Sequence, residues 1–171
     1  MRNKYIIFIF SILAGQNLNG LSFNIEKFNF LLGNRFIGEY VDKNIETKIF
    51  ESMSWEIALN GKAIRLVQVI NKEFVIESII MWDNRTDSLA LWSFSSGGQA
   101  VKKVVDINND TISYIEDVSA NNNSIKKVKT SITDKGAGKI NRKTRFLMDN
   151  VWVTGSDVDY IIDSSYTRVS N

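Results

Sequence analysis

The residue types that carry most enzyme chemistry are sparse in this chain. It contains no His and no Cys. That removes the imidazole general base and metal ligand, the thiolate nucleophile, and any Ser-His-Asp arrangement. No zinc signature, phosphate-binding loop or dinucleotide fingerprint is present. Among the acidic residues, Glu56 lies opposite Trp55 and Ile57 in an alternating run, and Glu77 lies opposite Ile76 and Ile80. Either would become an acid or base if it faced a buried interior. If the aromatic face is the inner one, both stand in solvent, as alternation ordinarily requires. The sequence assigns no catalytic residue and implies no metal or cofactor.

Binding chemistry has more material. Trp55, Phe74, Trp82, Trp92 and Phe94 either line a ligand cavity or fill a core, since aromatic side chains carry large apolar area in both settings. Arg65 and Gln68 are polar positions in an otherwise apolar run and fall on opposite faces, so one of them points inward and could fix the polar end of a ligand. A basic run follows later, comprising Lys126, Lys127, Lys129, Lys135, Lys139, Arg142, Lys143 and Arg145. It reads as a polyanion or membrane-surface patch, or as a solvated outer face that discourages edge pairing.

The elements that must position these residues have a period of two. From Met53 to Gln99 apolar and polar residues alternate between short turn signals. Met53, Trp55, Ile57 and Leu59 share one face, and Asn60-Gly61 then signals a tight hairpin. Ala63 to Ile70 returns, Asn71-Lys72 turns, and Phe74, Ile76, Ser78, Ile80 and Trp82 line one face of the next strand. Asp83 to Asp87 is turn chemistry, and Leu89 to Phe94 is a further strand closed by Gly97-Gly98.

The same pattern runs on either side. Arg35 to Val41 is the first strand, preceded by Ile25, Phe28, Leu31 and Leu32 at near-helical spacing up to Gly33. Such a segment plugs one end of a barrel. Val101, Lys103, Val105 and Ile107 share a face, as do Ile112, Tyr114, Glu116 and Val118. Strands follow over Ile125 to Thr133, Ile140 to Met148 and Val151 to Val153, with Tyr160-Ile161-Ile162 as a candidate to close the sheet. The expected fold is all-β: a single antiparallel up-and-down barrel of about nine or ten strands with a short N-terminal helix. Consecutive hairpins and the lack of a long crossover favour a barrel over a sandwich.

The chain's 171 residues suit one domain. Arg2 and Lys4 precede the largely apolar stretch Tyr5 to Ala14, which is short for a membrane span, and Gly20-Leu21-Ser22 offers a small-x-small cleavage site. Residues 1–22 are therefore expected to be a signal peptide and 23–171 the barrel domain, exported to the periplasm or medium without a transmembrane span in the mature chain. The leader holds two of the 21 basic residues, so the mature chain balances 19 basic against 19 acidic residues. A neutral domain argues against nucleic acid as a partner.

Several segments together resemble the lipocalin-like, calycin-related family of small bacterial β-barrels. Leu31-Leu32-Gly33 followed by Gly38-Glu39 is similar to the family's opening, with Phe36 as the nearest aromatic where a Trp usually follows the Gly. Trp55 to Arg65 (WEIALNGKAIR), Trp82 to Leu89 (WDNRTDSL) and Phe94 to Gln99 (FSSGGQ) resemble its later hairpins. The resemblance spans roughly Phe30 to Asp163. It implies a calycin-like barrel and no defined reaction. Three functions follow as expectations: a barrel binding a small, mostly apolar ligand; a packed cell-envelope interaction module; and an enzyme using a buried carboxylate.

Overall fold

A computed structural model describes residues 25–42, 46–118 and 125–166. The expected signal peptide lies outside them. The described residues form a closed barrel of ten antiparallel strands in up-and-down order. The strands are β1 (Arg35–Asp42), β2 (Thr47–Ala58), β3 (Ala63–Ile70), β4 (Phe74–Asp83), β5 (Ser88–Ser95), β6 (Ala100–Asn108), β7 (Thr111–Asp117), β8 (Ile125–Gly136), β9 (Lys139–Met148) and β10 (Val151–Ile162). Each strand pairs with its neighbours in sequence, and β1 closes the barrel on β10. The all-β, up-and-down reading is correct, and the strand count is ten.

The short N-terminal helix is a 3-10 helix, Ile25–Phe28, continued by turns to Gly33. Two local readings are revised. Leu59 is not on the strand face it was expected to share with Trp55. The β2–β3 ladder ends at Ala58↔Ala63, so Leu59 to Lys62 form a longer connection, with Leu59, Asn60 and Gly61 all at positive φ. Leu59 is exposed there. The last strand is one continuous element, because a bulge between Thr154 and Ser156 carries the ladder past Gly155.

Alternation sorts the side chains into an inner and an outer set. Phe36, Met53, Trp55, Ile64, Leu66, Ile80, Leu91, Ile112, Ile132, Ile140, Val158 and Tyr160 face inward and form the core. Phe28 and Leu31 from the N-terminal turn join them with no exposure, so this segment closes the end where β2 meets β3. We call this the lower end. The upper end carries the β3–β4, β5–β6 and β9–β10 turns.

Closure is brief. β1 and β10 pair at Phe36↔Ile162 and Ile37↔Ile161 only. Just above, β1 carries Gly38, and a Cβ there would sit 2.6 Å from the Tyr160 ring. Glycine therefore lets the ring lie flat against the β1 backbone where the ladder stops. Gly155 does the same for Phe146, whose ring lies 2.1 Å from the position of an added Cβ.

Gly38→Ala forces the Tyr160 ring aside in a packed site. Overpacking of this kind costs about 1–3 kcal/mol. A thermal melt is expected to show a midpoint lower by about 2–12 °C, at about 2–4 °C per kcal/mol for a domain of this size. An unchanged midpoint would contradict the seating of Tyr160 on Gly38.

Candidate functional site

The lower half of the interior is apolar and closed to solvent. Ile64, Leu66, Ile80, Ile112 and Ile132 have no solvent exposure. Trp55 is also fully buried there, and its Nε1 has no hydrogen-bond partner among the described residues. Above this layer the inner face turns polar.

Glu51 is the centre of the polar layer and is completely buried. It follows Ile49 and precedes Met53 and Trp55 on the inner face of β2. Its carboxylate accepts hydrogen bonds from three other strands. Gln68 Nε2 on β3 donates to Oε1 at 3.0 Å, Arg142 on β9 donates to the same oxygen, and Tyr160 Oη on β10 donates to Oε2 at 2.9 Å. Arg142 also stands over the Tyr160 ring, 5.4 Å from its centroid. Burial by itself would lower the Arg142 pKa. The adjacent Glu51 carboxylate outweighs that, and the guanidinium is held above its ordinary range. Burial, with Glu51 adding to it, raises Tyr160 well above an ordinary phenol, so it remains a donor. Arg142 Nε has no partner among the described residues.

A second ion pair lies on the facing wall. Lys103 on β6 and Glu116 on β7 meet at 3.0 Å. Lys103 Nζ stands 5.4 Å over the Tyr114 ring, and burial raises the Tyr114 pKa. These charges remain in contact with solvent, with Lys103 19% and Glu116 26% exposed. Ser78 and Ser93 complete this band, joined at 2.8 Å across β4 and β5.

The upper half differs from the lower in its access to water. Ile70, Ile76, Val101, Val128, Thr144 and Phe146 lie on the inner face and are only half-buried. At the rim the inner-face apolar side chains Phe74, Val151 and Val153 are exposed. Solvent therefore reaches an apolar inner wall whose floor is the Glu51–Arg142 and Lys103–Glu116 layer.

The residues expected to bind ligand are divided by the pleat. Trp55, Phe74, Trp82 and Gln68 are on the inner face, with Trp55 in the buried core and Phe74 at the rim. Gln68 is thus the inward member of the Arg65–Gln68 pair. Arg65 stands outside, bonded to Glu77 at 2.8 Å and paired with Glu56 at 3.6 Å. Both of those carboxylates are accordingly external, and the Arg65 hydrogen bond lowers the Glu77 pKa. Trp92 and Phe94 are also external, because Leu91 and Ser93 take the inner positions of β5. Trp92 packs under Lys102, which pairs with Asp83 and holds that carboxyl down at about 2.

The basic run is divided as well. Arg142 is inside, in phase with the core residue Ile140. Lys127 and Lys143 stand outside, paired with Asp117 and Asp157. Glu51 was missed as an inward position because the alternation was read only from Met53 onward. Extending it two residues back puts Glu51 in phase with Met53 and Trp55.

No family model matches this chain, and no curated protein matches it in sequence.

The buried pair gives a double-mutant test. Glu51→Leu leaves Arg142 buried without its counter-ion, and Arg142→Met leaves Glu51 so. Each single change is expected to cost about 3–5 kcal/mol. The double variant removes both charges and should lose less than either single one in urea unfolding. Additive losses would contradict a coupled pair.

Proposed function

We propose that this chain is an exported, lipocalin-like barrel that binds a small, mostly apolar ligand in the upper half of its interior. One observation carries the reading: the inner wall of the upper half is apolar yet half-exposed to solvent. Globular chains ordinarily bury such surface, and a concave apolar wall with a few polar groups at its floor is the usual make-up of a small-molecule site. The exposed apolar side chains at the same rim support entry from that end.

The features of the leader and the family resemblance agree with this reading. A small apolar ligand in transit outside the cytoplasm needs a carrier that shields it from water, and a ten-stranded barrel has an interior of suitable width.

Titration with an apolar fluorescent probe tests the proposal. Saturable one-to-one binding is expected. Val128→Trp or Thr144→Trp would fill the upper interior and should weaken it by about 10-fold or more, a loss of about 1.4 kcal/mol. Trp92→Ala and Phe94→Ala, on the outer face, should leave it unchanged. Binding that survives both interior substitutions and fails with the outer ones would place the site elsewhere.

A further inference from the structure

The charge pattern of the inner face bears on which ligand head it accepts, an inference that rests on the ligand-binding reading. Four charged side chains stand on the inner face of the polar band among the described residues: Glu51, Lys103, Glu116 and Arg142. They form two ion pairs, so the band carries no net charge. Neither pair has an ion to spare. The charge of Arg142 is balanced by a carboxylate that also takes hydrogen bonds from Gln68 and Tyr160, and only its Nε–H is without a partner among the described residues. Lys103 is committed to Glu116 and to the face of Tyr114. The remaining polar groups at this level are uncharged: Gln68, the Ser78–Ser93 pair, Thr130 and Thr144.

We infer that the site selects amphiphiles with an uncharged polar head, a hydroxyl or amide on an apolar chain, over carboxylates or ammonium ions of the same chain length. A charged head entering this band leaves water and finds no free counter-ion. To gain one it must break a pair and leave the displaced charge unpaired, in a buried setting at Glu51–Arg142 and a partly solvated one at Lys103–Glu116. A hydroxyl or amide needs only donors and acceptors, which the serines, threonines and Gln68 supply. Exclusion by unpaired charge is a recognised route to specificity.

Calorimetric titration of the full mature domain with dodecanol, dodecanoate and dodecylammonium, each below its aggregation limit, tests this. Dodecanol is expected to bind about 10-fold or more tighter than either ion. Glu116→Gln should then invert the order against dodecanoate. It frees Lys103 as a counter-ion at a half-exposed position, so the fold is retained, as its melting midpoint would verify. Dodecanoate or dodecylammonium binding as tightly as dodecanol, or tighter, would overturn the inference and leave the binding reading intact. Binding of none of the three would overturn both.

Discussion

Burying one carboxylate sets the terms for the rest of this barrel. Glu51 has no exposure, and an ionised group so placed is tolerated only with partners that meet its oxygens closely. Those partners come from β3, β9 and β10. The group thus ties β2 to its neighbour and to the two strands on the far side of the closing seam. Since β1 and β10 share only two residue pairs, this link is a main reason the seam holds its geometry. Tyr160 reaches Glu51 only because Gly38 makes room for its ring. The sequence of causes runs from a glycine on one edge strand, through an aromatic ring, to a charge in the centre.

The same layer divides the interior. Below it, branched aliphatic side chains and Trp55 pack without exposure, and the N-terminal turn closes the end with Phe28 and Leu31. This half supplies the apolar burial that stabilises the fold. Above it the inner wall keeps contact with solvent, so the strands there hold their shape largely through ladder hydrogen bonds and the polar layer. Stability and recognition are therefore drawn from different halves of one barrel. The ion pairs sit at the boundary, where they hold the strands in register and set the charge a ligand meets.

Much of this fold was legible in the sequence. The period-two pattern gave the strands, the Asn- and Gly-containing breaks gave the hairpins, and their regular spacing gave the up-and-down order. Alternation also set Glu56 and Glu77 opposite Trp55 and Ile76, and the structure puts both outside; Arg65, whose face the alternation left open, stands outside with them. The site was less legible. Trp92 and Phe94 are aromatic, and residue type suggested an interior that register denies them. Arg142 was grouped with its basic neighbours, although it is in phase with Ile140. A charge in a strand reads as external unless its counter-charge is known. The partners here lie 91 residues apart for Arg142 and Glu51, and 109 for Tyr160 and Glu51. Local patterning carries no information on pairs at that separation.

The division of the interior is the central claim, and the lack of native Cys allows a direct measurement of it. Single cysteines at Val101, Val128 and Thr144 report the upper half, and those at Ile132 and Ile140 the lower. Each is exposed to a small thiol reagent under native conditions. The upper three are expected to react at rates near those of the unfolded chain, and the lower two only as fast as the domain opens. Equal protection at all five positions would contradict the account, because the upper interior would then be as closed as the core.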